Sequence, residues 1–282
     1  NYLSLAPDLF RILTTSHNNW MLIKVVKLLS SLVREEPRLA RKLLEPLAQT
    51  VQTTPAKSLQ FECLHTITVC LMFTKREDGS DAKNAPAVIR LCTDKLRELI
   101  RDPDQNLKYL GLVGLANLML SNPRVVAEHR DLVLSCLDDE DVTIRIRALE
   151  LITGMVTRRN LRDIVRRLLD HVDAAEGMYR DELIEKIIFM CSRDKYAYLT
   201  DFEWYVGVLV QLSQVPDTKH GEVIAAQLVD VAVRVEDVRP FAVRSMLPVL
   251  ADLATRAQTG RADVLFAAAW IMGEFAHLIA PS

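Results

Sequence analysis

The sequence predicts an all-α fold, a curved α-solenoid of stacked helical pairs, on three observations. The first is an internal repeat between Leu99 and Val156. Ile100-Arg101-Asp102-Pro103-Asp104-Gln105-Asn106-Leu107-Lys108-Tyr109-Leu110-Gly111-Leu112 is echoed by Leu137-Asp138-Asp139-Glu140-Asp141-Val142-Thr143-Ile144-Arg145-Ile146-Arg147-Ala148-Leu149, 37 residues on. Asp102 aligns with Asp139, Leu107 with Ile144, Lys108 with Arg145, Gly111 with Ala148 and Leu112 with Leu149. The second is composition: 282 residues, half of them hydrophobic, with only 9 glycines, where an average chain of this length carries roughly 20. The third is spacing. First-helix starts near 20, 58, 104, 141, 178, 219 and 262 recur at intervals of 37 to 46, a period typical of HEAT- or armadillo-like pairs.

Each element follows from local pattern. Leu3 to Leu13 is apolar-periodic and reads as the second half of a repeat. Asn18-Asn19 offers a cap for Trp20 to Val33, which Glu36-Pro37 ends, because proline disfavours helix at the residue before it. Arg38 to Val51 follows, with Pro46 expected to bend it. After a turn at Thr53-Thr54-Pro55 comes Ser58 to Phe73. Residues 74–85 have no apolar period and read as an exposed loop. Ala87 to Ile100 is helical. The two marked units follow, Asp104 to Leu120 with Val125 to Leu137, and Asp141 to Val156 with Leu161 to Val172. The carboxylates in each turn are placed to accept from the free N–H groups of the next helix and to complement its dipole.

In the second half, Leu161, Ile164, Val165, Leu168, Leu169 and Val172 form one apolar stripe. Gly177 to Cys191 and Phe202 to Val215 pair across Ser192-Arg193-Asp194-Lys195. A turn at Pro216-Asp217-Thr218 leads to Gly221 to Val235 and Arg239 to Leu253, where Pro240 suits a first turn and Pro248 should kink the helix. Thr259-Gly260-Arg261 is a turn, and Asp263 is expected to cap a final helix reaching Ala280. The whole, residues 1–282, reads as a single trunk of about six to seven helical pairs with partial repeats at both ends, a piece of a longer chain. Leu149 and Trp270 are expected in its core, each costing about 2–5 kcal/mol on truncation to Ala.

Several function classes find little support. Net charge is −2, so no global basic field recruits nucleic acid. Five cysteines show no framework spacing, which points to a reduced, cytosolic setting. The longest apolar stretch, Val264 to Ala280, is broken by Glu274 and His277. Cys63, His65 and Cys70 share a helix, but no second cluster completes a metal site; with Cys92, Cys136 and Cys191 they read as buried small hydrophobes. Neither a nucleophile elbow nor a phosphate loop is present, and His17, His129, His171, His220 and His277 fall at helix ends or solvent positions. The reading is therefore no catalytic site, no metal and no cofactor. Arg158, Arg159, Arg162, Arg166 and Arg167 are the one local concentration of like charge and the candidate interaction face, for an acidic partner or for lipid headgroups. Arg159, Arg162 and Arg166 lie opposite the apolar stripe, with Asp163 and Asp170 diluting them. Phe202, Trp204 and Tyr205 lead one helix and suit either core packing or an interface.

Particular residues add a resemblance. Asp104 to Leu112 resembles the asparagine–basic–tyrosine–leucine signature of adaptin large-chain trunks, and Ala267-Ala268-Ala269-Trp270-Ile271-Met272-Gly273-Glu274-Phe275 resembles the adaptin tryptophan–isoleucine–glycine–glutamate helix. Asn18-Asn19-Trp20, Glu36 to Leu39, Cys136 to Asp139, Tyr179 to Leu183, Phe202 to Tyr205 and Leu228 to Val235 point within that family to the delta branch of adaptor complex 3. The resemblance implies a middle-to-late trunk segment of a vesicle-coat scaffold, not an enzyme. It implies small (sigma), medium (mu) and second large (beta) adaptor subunits as partners, recruitment by an Arf-type GTPase, and a peripheral, cytoplasmic place on Golgi or endosomal membranes, sorting cargo to lysosomes or vacuoles. The alternative on periodicity alone is another HEAT-type scaffold, such as a transport receptor or a phosphatase scaffold.

Overall fold

The computed structural model describes residues 2–74, 85–216, 218–255 and 262–279, with no strand among them. The chain divides into two units, Asn1–Met155 and Val156–Ser282.

The first unit opens with a 3₁₀ turn, Leu3–Leu5, and α1 (Ala6–Thr15). Then come α2 (Asn19–Glu35), α3 (Arg38–Thr53), α4 (Lys57–Phe73), α5 (Ala85–Ile100) and α6 (Gln105–Ser121). Two short helices, α7 (Pro123–Ala127) and α8 (Arg130–Ser135), and a 3₁₀ turn at Cys136–Asp138 lead to α9 (Val142–Gly154). The helices α2, α4, α6 and α9 pack in succession, while α3 and α5 back onto α4 and α6. The core runs between these two layers and includes Leu29, Leu64, Ile67, Leu96, Leu112, Leu115, Ile144 and Leu149.

The caps are those expected from the turn residues. Asn18 Oδ1 accepts from the N–H groups of Trp20 and Met21 at 3.0 and 3.2 Å. In the repeated turns, Asp102 Oδ1 accepts from Asp104 N–H at 3.0 Å, and Asp139 Oδ1 accepts from Asp141 N–H at 3.0 Å. Asp104 and Asp141 then cap α6 and α9. The 37-residue register is thus reproduced in the hydrogen bonds. Gly111 marks a close approach. A Cβ there would stand 2.6 Å from Ile100 Cγ1, and one at Gly114 would overlap Leu96, so α5 and α6 pack backbone to side chain.

In the second unit, α10 (Leu161–Ala174) buries the whole predicted stripe from Leu161 to Val172. It packs on α11 (Gly177–Tyr196). Next come α12 (Phe202–Ser213), α13 (Gly221–Arg234), α14 (Arg239–Thr255) and α15 (Ala262–Phe275). Here α13 lies beside α15 and α12 beside α14. The predicted break after Cys191 is a real change of backbone: Arg193 leaves the helical region, and Asp194, Lys195 and Tyr196 all have positive φ.

Four expectations are corrected. The helix expected from Val125 to Leu137 is broken, because Glu128 N–H bonds back to Val125 O and His129 N–H to Val126 O, a tighter turn that stops the α-helical ladder. Asp263 is not a cap but lies inside the first turn of α15. That helix ends at Phe275 and tightens into a 3₁₀ turn at Ala276–Leu278, short of Ala280. Trp270 is not in the core: it is 37% exposed, its ring meeting Phe275 edge-on at 6.0 Å between centroids. Of the expected loop at 74–85, Thr74 and Ala85 are buried and the residues between lie outside the described ones, as do the turn at 259–261 and residue 217.

Candidate protein-interaction surface

The buried stripe of α10 forces its arginines outward, but the structure does not leave them as one patch. Arg158 Nε donates to Ala197 O at 2.6 Å. Arg162 pairs with Asp201 Oδ2 at 2.9 Å, and its guanidinium stands 5.3 Å from the centre of the Trp204 ring. Asp201 serves two purposes, since its Oδ1 also accepts from Trp204 N–H at 2.9 Å and caps α12. Arg167 is half-buried, whereas Arg159 and Arg166 are exposed. Arg158 and Arg162 therefore reach across to the chain 39 residues later. They tie one helical pair to the next, a use that a reading of the local cluster does not reveal.

Beside this tie lies an open groove of about 440 Å³. Arg162 and Arg166 of α10, Trp204, Gly207 and Gln211 of α12, and Phe241 of α14 line it. Gly207 keeps it open, for a Cβ there would meet no atom within 4 Å. Asp201 and Glu203 also line it, so its charged side chains balance. What it offers is an indole face, a glycine floor and two exposed guanidinium groups, Arg162, which pairs with Asp201, and Arg166. Trp204 was visible in the sequence as one of three aromatics. Gly207 and Phe241 carried no signal, because their meeting depends on helices two elements apart.

Elsewhere, several polar groups are committed to structure. Tyr196 OH lies 2.5 Å from Asp230 Oδ2 and 3.1 Å from Gln227 Oε1, and Tyr205 OH shares that same amide oxygen at 3.1 Å. Burial, and then the Asp230 carboxylate, push the Tyr196 phenol above its ordinary range. Burial would raise Asp230, but bonds from Tyr196 and Arg234 outweigh it and hold the carboxyl low. Cys63, Cys70, Cys92 and Cys191 are buried thiols pushed up by burial to about 12, and Cys136 to about 11. At neutral pH these thiols stay protonated, unsuited to nucleophilic attack or metal ligation. His65 Nδ1 lies 3.3 Å from Asn117 Nδ2, which binds it into the first unit. Among the described residues, no three His, Cys, Asp or Glu side chains gather as a metal site, and no helix is long and apolar enough to cross a membrane.

Comparison with known proteins places this architecture. The adaptin N terminal region matches residues 1–281. The AP-3 complex subunit delta of Dictyostelium discoideum is 49% identical over 99% of this chain, and the AP-3 complex subunit delta-1 of Bos taurus is 50% identical over 100%. The AP-3 complex subunit delta of Schizosaccharomyces pombe is 38% identical over 99%. The chain spans 24%, 23% and 34% of the length of these relatives. In three dimensions, it resembles a chain of a homology model of the full-length AP-3 complex in an intermediate open conformation, with a TM-score of 0.69 at 24% identity over 99% of this chain and 51% of that one, a likeness of fold. From residue 1 to residue 281, this chain belongs to the adaptin N-terminal region family.

Proposed function

We propose that the chain is a trunk segment of a large subunit in a vesicle-coat adaptor complex of the AP-3 type, and that it works as a scaffold rather than a catalyst. The observation that carries this is the near-half identity, over essentially the whole chain, to delta subunits of that complex in two distant organisms. The physical reading agrees with it. Lys108 and Arg162 are spent on repeat-to-repeat ties, and the buried thiols are held protonated. In this reading the helical pairs of residues 1–282 stack as one trunk that holds the small (sigma) chain beside the medium (mu) and second large (beta) subunits. The assembled complex sits peripherally on the cytoplasmic face of Golgi or endosomal membranes. An Arf-type GTPase recruits it, and it sorts cargo towards lysosomes or vacuoles.

The arginine face takes a narrower role than its charge count implies. Arg158 and Arg162 hold their own unit together, and Arg167 is half-buried. Arg159 and Arg166, with the Trp204 groove, remain as the face offered to a protein partner. A protein is favoured over a lipid surface because the groove is charge-balanced and aromatic.

The test is co-expression with the matching small adaptor chain, followed by size-exclusion chromatography. Co-elution in a defined ratio is expected. Separate elution of two folded proteins, each with its native circular dichroism, calls for the same test with a longer trunk, and separation there overturns the assignment. Flotation with anionic liposomes checks the arginines: wild type and an Arg159→Ala/Arg166→Ala variant should behave alike. Loss of flotation in the variant would move this face to lipid.

A further inference from the structure

A second surface lies on the opposite pairing of this unit, between α13 and α15. It is an open groove of about 500 Å³ whose floor is apolar and small: Ala225, Ala226 and Val229 of α13, and Ala267 of α15. Its walls are Val233, 48% exposed, and Phe266, 74% exposed. A phenyl ring that far into water beside an open apolar floor adds little to the packing of α13 on α15. Burying it against a partner removes that apolar surface from water.

The charged lining is one-sided. Glu222, Asp230 and Asp263 face the groove, and among the described residues no cation lines it. Asp230 is taken up by Tyr196 and Arg234. Glu222 and Asp263 are exposed, with no cationic partner among the described residues; each complements its own helix dipole from the first turn. This is the reverse of the Trp204 groove, where arginines and acids balance.

We propose that the α13–α15 groove is a docking site for an amphipathic helix of a protein partner, carrying an apolar stripe flanked by Lys or Arg. The argument for a helix rests on what the groove presents. Its walls are two helices, whose backbone N–H and C=O groups are internally bonded, so it has no strand edge to extend. Recognition falls to side chains, and Glu222, Ala226, Val229 and Val233 run along α13 at helical spacing, matching the stripe of a helix laid against them. The small floor residues permit close approach, Phe266 supplies the aromatic anchor, and the exposed carboxylates of Glu222 and Asp263 select a cation. This proposal stands on the groove itself and is independent of the coat assignment.

The experiment titrates the full chain into two fluorescein-labelled synthetic helical peptides. Both carry Leu at i, i+3, i+4 and i+7, one with Lys flanking the stripe and the other with Glu in those places. Fluorescence anisotropy reads binding. The Lys peptide should bind about tenfold more tightly than the Glu peptide. Phe266→Ala should weaken the Lys peptide by about tenfold or more. Glu222→Gln with Asp263→Asn should erase the preference while leaving residual binding. Equal binding of both peptides, or Lys-peptide binding that Phe266→Ala leaves unchanged, overturns the proposal. All three residues are exposed, so native circular dichroism is expected in every variant. Light scattering completes the test: a concentration-dependent dimer of the chain that Phe266→Ala dissolves would assign the groove to a second copy and overturn it as well.

Discussion

The cationic ties of the two units, each between one helical pair and the next, differ in burial. In the first unit Lys108 of α6 meets Asp139 at 2.5 Å, and Arg147 of α9 donates to Tyr109 OH at 3.0 Å with its guanidinium 5.4 Å from the ring centre. In the second, Arg162 meets Asp201 at 2.9 Å and stands over Trp204. Each links one helical pair to the next. The side chains of Lys108 and Asp139 are only 22% and 11% exposed, against 52% and 38% for Arg162 and Asp201. Water competes little for the first pair and freely for the second. The buried tie is therefore part of the fold, and the exposed one leaves its aromatic partner and a groove open to another molecule.

Both ties ride on apolar seams, and breaking a seam should have the largest effect. Leu149, fully buried two residues after Arg147, is expected to cost about 2–5 kcal/mol as Leu149→Ala, through the lost contacts and the cavity left behind. Trp270→Ala removes a side chain already more than a third in water, and should cost less than half as much. Urea unfolding of both variants checks this. Equal losses would mean that α15 is held as tightly as α9.

Next in size is the buried pair. Lys108→Ala strands a largely buried carboxylate and should cost about 1–3 kcal/mol at pH 7. Burial alone would raise the Asp139 carboxyl, but the Lys108 bond and the Asp141 N–H outweigh it and hold it below the ordinary range. A carboxyl more acidic folded than unfolded stabilises the fold above about pH 4, and that contribution fades as pH falls through the depressed folded value. The gap between wild type and Lys108→Ala should therefore narrow towards pH 3. A gap that persists with Asp139 protonated would mean that Lys108 matters through its aliphatic stem instead.

These differences show what a sequence exposes and what it hides. Helices, caps and register were legible because they are local: Asn18, Asp104 and Asp141 sit where a helix must begin, and the stripe from Leu161 to Val172 dictates a buried face. The aligned aspartates even form the same turn hydrogen bonds. The break at Glu128–His129 was not legible, since its apolar residues fit one helix as well as two short ones. Nor was the fate of the arginines. Five like charges in ten residues look like a patch until Asp201 and the Ala197 carbonyl arrive from 39 residues away. Trp270 misled for a related reason: an apolar helix late in the chain suggests burial, but which of its sides is covered depends on neighbours that no local window contains.

The smallest expected effects separate stability from recognition most cleanly. Arg162→Ala should cost no more than about 1 kcal/mol, because its pair and its ring contact are both largely solvated. Salt near 1 M should reduce even that. Arg147→Ala, which also loses bonds to Tyr109 and Glu150, should cost somewhat more and respond less to salt. Gly207→Ala should be neutral or slightly stabilising, by about 0.5–1 kcal/mol, since its Cβ meets nothing and alanine favours helix. At Gly114, where Leu96 occupies that space, the same change should destabilise. Thermal melts across the four variants test the ranking. The decisive member is a longer side chain, Gly207→Gln, which fills the Trp204 groove without touching the core. If that groove carries a partner, this variant should melt like wild type and still lose co-elution with the partner that uses it. Retained co-elution with every adaptor chain would reduce the groove to a gap between helices and leave the comparison one of stability alone.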